Sequence, residues 1–193
     1  MIYLTHHYHL PRSTVTALAA IVGIGAIAGL YGGAKLSDAL LARGWISSRI
    51  EVPAAALLAA AVLFVPAIWT GNAAIGMALL TCGTAALAAA NPPIDAARLD
   101  VVPSGLWGRG EAGRTALRGM LEGGAPLLFG AISDGFGGGA EGLKWTFLIM
   151  LTTVIAASAF AIPARRAYPR DVATAEVSTR QISKHGKGER SAR

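Results

Sequence analysis

Glu122 has the most chemistry on offer of any side chain in this sequence. It sits ten residues into the segment 112–133, which puts it about 15 Å along a helix beginning there and close to the middle of a bilayer. A carboxylate at that depth is costly unless it is paired, protonated or facing a wet cavity, and it is a functional candidate by default. Two readings follow. Protonation of Glu122 could switch the preferred state of a proton-coupled machine, or Arg118, four residues earlier and on the face that also carries Arg114, could pair with it and fix the helix in place.

Two further polar groups stand beside apolar runs. Asp95 and Arg98 follow Asn91-Pro92-Pro93, where the prolines free backbone carbonyls that can line a cavity. Asn91 and Asp95 are therefore candidates for contact with a small-molecule solute, and an Asp95–Arg98 salt bridge is the simpler alternative. Asp38 lies just past a glycine-lined helix end and close to Arg43-Gly44. An acid there can accept backbone N–H groups at the positive end of a neighbouring helix or pair with an arginine, from Arg43 or from the stretch holding Arg109 and Arg114. A pair made in one state and broken in another biases a conformational equilibrium.

Other chemistries find little support. His6, His7 and His9 lack a spaced carboxylate or thiol partner, and Cys82 is the sole cysteine, so neither a metal site nor an intrachain disulfide is expected. No serine, cysteine or histidine arrangement suggests nucleophilic catalysis. The glycine-rich stretch 135–139 has neither the lysine nor the strand context of a phosphate loop. The chain reads as a non-enzyme without a cofactor.

The elements that position these residues are apolar helices. Of the 193 residues 53% are hydrophobic and 15% charged, with a mean hydropathy of +0.51, against about one quarter charged in a typical globular chain. The 24 glycines suit helices packed closely in lipid. Residues 13–34 carry no charge, and neither do the 43 residues between Glu51 and Asp95, which is too many for one crossing. Breakers divide the chain into five spans: 14–36; 53–70; 73–93, continuing kinked to 102; 112–133; and 144–164. The turn Thr70-Gly71-Asn72 separates the second from the third, and Pro163 with Arg165-Arg166 ends the last. Gly25, Gly29 and Gly33 recur every four residues on one helix face, a repeated small-xxx-small pattern that predicts close contact with a neighbour. Pro66 and Pro126 lie inside spans and mark bends.

The resulting organisation is an outer N-terminal segment (1–13), a five-helix transmembrane domain (14–164) and a basic, disordered cytoplasmic tail (165–193). If loops alternate sides, one side holds two basic residues and the other fifteen. The positive-inside rule then places the N-terminus outside and the tail in the cytoplasm of an integral plasma (inner) membrane protein. The first twelve residues lack the lysine-rich region of a cleavable signal peptide. The tail holds eight basic and three acidic residues and supplies most of the net charge of +6, so the basic excess reads as an anchor near anionic lipid and not as a nucleic-acid surface.

Gly33-x-x-Leu36-Ser37-Asp38 followed by Arg43-Gly44 resembles the loop between the second and third helices of a major facilitator superfamily half. Asp100-Val101-Val102-Pro103, Arg109-Gly110-x-Ala112 and Ala125-Pro126-Leu127-Leu128-Phe129-Gly130-Ala131-Ile132-Ser133-Asp134 are similar to helices ten and eleven of spinster-like carriers. The resemblance covers roughly residues 3–164 and matches the five spans to helices eight to twelve. It implies an all-α membrane bundle, an incomplete C-terminal half, and secondary transport of a small solute by alternating access as a symporter or antiporter. Gly33, Asp38, Arg43, Gly44, Asp100 and Arg109 would then form a cytoplasmic gating motif, while Glu122, Asn91, Asp95 and Arg118 would line the path. Ala39 stands where the fuller motif has arginine, so the latch is weaker or relies on Arg43. The family builds two halves of six helices with substrate between them. The expectation is therefore a fragment of a carrier; the alternative is a non-transporting half-carrier subunit or truncated inactive product that needs a separate N-terminal half.

Overall fold

The computed structural model describes residues 12–191, so His6, His7 and His9 lie outside the described residues. Among the described residues six α-helices follow one another: α1 (Arg12–Ala42), α2 (Ser48–Trp69), α3 (Ala73–Ala89), α4 (Asn91–Val101), α5 (Trp107–Gly135) and α6 (Gly139–Ser191), with a short 3-10 turn, Ser104–Leu106, ahead of α5. No strand occurs among the described residues. Four stretches of the described residues are long and apolar enough to cross a membrane: Leu18–Ala42, Ser48–Trp69, Ala73–Val101 and Gly139–Ala175.

Local chemistry sets the breaks. Gly44, at φ +86°, ends α1 in the left-handed conformation that glycine adopts without penalty. The amide of Trp45 then reaches back to the Leu40 carbonyl at 3.1 Å and that of Gly44 to Leu41 at 2.9 Å. Asn72 caps α3, its Oδ1 accepting from the amides of Ala74 at 3.0 Å and Ile75 at 3.2 Å. Pro92 and Pro93 lack amide protons, so the helix pauses at Ala90 and restarts as α4. The third expected span, with its kinked extension, is thus the α3–α4 unit. Three successive residues with positive φ, Gly137, Gly138 and Gly139, reverse the chain between α5 and α6.

The glycine stripe is the main joint of the bundle. A Cβ at Gly29 would fall on the backbone of Ala85, one at Gly33 on the backbone of Ala89, and one at Gly25 would lie 2.6 Å from the Thr81 methyl. Small residues at four-residue spacing on α1 thus meet small residues at the same spacing on α3, and the two backbones approach as only such stripes allow. On the other side of α3, Gly83 sits under the Phe64 ring of α2. The α2–α6 contact buries Ala61, Ile68 and Leu151, with Phe64 and Leu148 packed around them, and Ser158 of α6 donates to the Ala54 carbonyl at 2.9 Å. Many large apolar side chains face outward instead, Ile24 at 67% and Ile27 at 68% exposure among them, as suits a surface solvated by lipid.

The ends of α2 carry interfacial chemistry. Its 22 residues span about 33 Å, close to the thickness of a bilayer core. Beyond its far end, Lys144 Nζ lies 4.2 Å from the centroid of the Trp69 ring, and Phe136 stacks on Trp145 at 6.3 Å. At the near end stand Trp45 and Trp107, the latter donating from Nε1 to the Val102 carbonyl at 2.8 Å. Aromatic side chains bracketing apolar helices are typical of membrane interfaces.

Two elements differ from expectation. The segment expected as the fourth span is helical within α5, but it is not one of the four long apolar stretches, because Arg114, Arg118 and Glu122 fall within its first eleven residues. α5 also stands away from the bundle: Leu117, Met120, Leu121 and Leu127 are all more than 60% exposed. Its packed contact is near its end, where Phe129 meets Phe147 edge-on at 5.4 Å and a Cβ at Gly142 would strike Ser133. The second difference concerns α6, which does not stop at 164. It passes through Pro163 and Pro169 and continues to Ser191, so residues expected to form an irregular tail are helical. Each proline removes one backbone bond, and the tertiary contact of Tyr168, 5% exposed, holds the helix in place between and beyond them.

Candidate functional site: an ion-pair network at one end of the bundle

The polar chemistry of the described residues gathers at the end where α1 passes into α2 and α4 into α5. Its centre is Asp100, near the end of α4. One carboxylate oxygen, Oδ2, accepts from Arg49 Nη1 at the start of α2 and from the Tyr168 hydroxyl on α6. A single anion thus joins three helices whose contributions are 51 and 68 residues away in sequence. The Arg49 and Asp100 side chains are 18% and 30% exposed, enough desolvation to strengthen the pair beyond a surface contact.

A second cluster ties α4 to the start of α5. Arg98 Nη1 lies 2.5 Å from Glu111, Glu111 lies 2.8 Å from Arg114 Nη2, and Arg114 Nη1 lies 3.3 Å from Asp95. Asp95 and Arg98 are therefore not partners of each other, as their spacing suggested; each crosses to α5. Hydrogen bonds from Arg114 and Arg98 hold the Glu111 carboxyl down at about 2. A depressed carboxylate contributes stability that is present above its unfolded value and lost as pH falls through the folded one. Acidification from about 4.5 to about 2 is thus expected to loosen the α4–α5 link. Protease cleavage within 102–110, followed against pH, checks this; Glu111→Gln should abolish the pH response in that window.

The remaining sequence candidates are scattered. Asp38 and Arg43 are exposed, and no ion pair joins either of them, or Arg109, to a described residue. The buried member of that motif is Ser37, 2% exposed. Its carbonyl accepts from the buried Ser48 hydroxyl of α2 at 3.2 Å, so the motif's serine face packs while Asp38 points away. Gly33 serves the α1–α3 joint and Gly44 the turn. Asn91 begins α4 and donates to the Ala88 carbonyl at 3.4 Å. Glu122 does meet Arg118 at 2.6 Å, but the two side chains are 63% and 61% exposed on the free flank of α5.

No protein-family model matches the chain, and neither does any curated protein or solved structure. The functional reading therefore stands on the site itself. Arg49, Glu111 and Tyr168 are its members that sequence reasoning passed over. Arg49 stood between two spans without an evident partner, and Tyr168 fell in a stretch expected to be irregular. The available signal was that Tyr168 is the one tyrosine, phenylalanine or tryptophan in the stretch 165–193.

Proposed function

We propose that this chain is the C-terminal part of a major-facilitator-like secondary carrier that moves a small solute by alternating access, with α5 serving as a fifth membrane helix. The observation that carries this reading is the asymmetry of the bundle. Ion pairs between helices crowd one end, in Arg49–Asp100–Tyr168 and Arg98–Glu111–Arg114–Asp95, whereas among the described residues the other end is held by apolar packing and the Lys144–Trp69 cation–π contact. Pairs confined to one end can close that end in one state and release it in another, each state being favoured only by the difference in its contacts. In this reading the charged end is cytoplasmic, Asp100 is the principal latch, and Glu122 couples protons on the free flank of α5.

The test is flux. Vesicles holding the purified protein and an internal pH-sensitive dye are challenged with a panel of small solutes. Together with the N-terminal half, one solute class is expected to move protons or charge at least about tenfold faster than in empty vesicles, whereas this chain alone should not transport, because the opposite half forms the other wall of the cavity. Glu122→Gln should keep binding but lose the pH dependence of transport; unchanged pH dependence would remove the coupling role. A panel without flux, with and without a co-expressed N-terminal half, would sink the transport reading.

The half-carrier reading shares one supporting feature with the first, the exposure of Leu117, Met120, Leu121 and Leu127 along α5, which a second half would cover in either case. An epitope after Arg193 separates the two. A native product about twice the 19.7 kDa of this sequence indicates one longer carrier, and a product of this size indicates a separately made half.

A further inference from the structure

Two apolar grooves adjoin along α2, and Glu51 borders both, the first reaching past it to Ser48 and Trp45. The first, about 620 Å³, lies between α1, α2 and α3 and is walled by small residues such as Gly29, Gly33 and Ala59. The second, about 500 Å³, lies between α2 and α6 and is walled by Leu58, Ile155 and Ile162 among others. Glu51 and Ala55 border both, so the ridge between the grooves is only an alanine high.

The head of this double groove is polar and open. Glu51 and Arg165 face each other there at 3.8 Å, a loose pair whose side chains are 29% and 53% exposed. The grooves run from this head along the helices. From Arg165 to Ile155 on α6 is about 15 Å, and from Glu51 to Ala59 on α2 about 12 Å. One leaflet of bilayer hydrocarbon is about 15 Å thick. Each groove is thus close to the length of one acyl chain, and the charged head lies at headgroup level.

We propose that this face binds a diacyl phospholipid with a zwitterionic, primary-amine headgroup. The ammonium donates to Glu51, the phosphate accepts from Arg165, and the two chains lie in the two grooves astride α2. A primary amine satisfies the carboxylate with charge-assisted hydrogen bonds, whereas a quaternary ammonium has no N–H to give. A lipid of net negative charge places an uncompensated anion against Glu51. The lipid would splint α2 to α6 beside the Ser158–Ala54 hydrogen bond, and the site stands whether or not the chain transports.

The test is retention of lipid by the full chain, purified from vesicles holding equal parts of ethanolamine, choline and glycerol phospholipids and weighed intact. One ethanolamine lipid per chain is expected, about tenfold or more enriched over the other two, the range of a charged hydrogen bond. Glu51→Gln should erase the headgroup preference. Ala55→Phe, which fills the ridge between the grooves, should lower retention of every diacyl lipid, and the single-chain ethanolamine lysolipid should be held more weakly than the diacyl form by the unaltered protein. Equal retention of the three headgroups, or an unchanged preference in Glu51→Gln, overturns the proposal. So does equal retention of the lysolipid, a measurement that needs no variant to fold.

Discussion

Replacing Gly29 with valine is expected to destabilise the bundle strongly, by separating α1 from α3 at their closest approach. The first added carbon falls on the backbone of Ala85, where no rotamer can relieve the clash. The two helices must separate along the line where they lie closest. Overpacking of this kind costs about 1–3 kcal/mol per site, and Gly33→Val, which meets the backbone of Ala89, should cost a similar amount. The two together should prevent assembly. Gly25→Ala should be milder, because its closest obstacle is the Thr81 methyl and the Thr81 carbonyl stands further off, at 3.2 Å, than the backbone atoms facing Gly29 and Gly33. Gly23 is the internal control: a Cβ there meets nothing within 4 Å, and Gly23→Ala should be neutral or gain up to about 1 kcal/mol of helix propensity. Thermal unfolding of the purified chain in detergent, followed by tryptophan fluorescence, ranks the variants. If Gly29→Val melts with the unaltered protein, the close approach of α1 and α3 is wrong.

Removing the carboxylate of Asp100 is the second large effect. Asp100→Ala leaves both the Arg49 guanidinium and the Tyr168 hydroxyl without the acceptor they share. Breaking a fully buried pair costs about 3–5 kcal/mol. This one is partly exposed, at 18% and 30%, so about 1–3 kcal/mol is the expected cost. Tyr168→Phe removes only the hydroxyl and should cost about 0.5–1.5 kcal/mol. The loss should also be local. With Tyr168 released, α6 keeps the looser contacts of Arg165 with Ser47 and Glu51 beyond Pro163 but loses its tie to Asp100, and trypsin should reach Arg165, Arg166 and Arg170 sooner than Arg49. A double-mutant cycle on Arg49 and Asp100 should return a coupling of about 1 kcal/mol or more, and the exchange Arg49→Asp with Asp100→Arg should restore part of the stability lost by either change alone. Strict additivity would show that the two side chains do not act as a pair.

The same two joints show how far a linear reading reaches. Gly25, Gly29 and Gly33 declared a close helix contact by their spacing alone, because a four-residue period fixes a face whatever the neighbour turns out to be. The sequence could not say that the neighbour is the Thr81–Ala85–Ala89 stripe. That stripe is made of ordinary small residues and becomes visible only once α1 and α3 lie side by side. Asp95 and Arg98 mark the opposite case. Their i, i+3 spacing suggested a local pair, yet both arginines of the cluster, Arg98 and Arg114, cross between α4 and α5. The turn at Ser104–Leu106 brings the two helices within side-chain reach, and nothing in the local pattern encodes that approach.

What the sequence determined by itself is where helices begin, break and turn. Gly44, Asn72, Pro92-Pro93 and the glycines at 137–139 act through their own backbone or side-chain chemistry, within a few residues, and they do so in any environment. Long uncharged runs likewise report their preference for an apolar medium without reference to a partner. Only the tertiary structure decided that Asp100 belongs to Arg49 and Tyr168 and not to Arg109, that Asp38 faces outward while Ser37 is buried, and that α6 continues past its prolines. Each of these depends on the register and rotation of one helix against another. Packing over the whole bundle fixes that register, and residues far apart in the chain share it without any local mark.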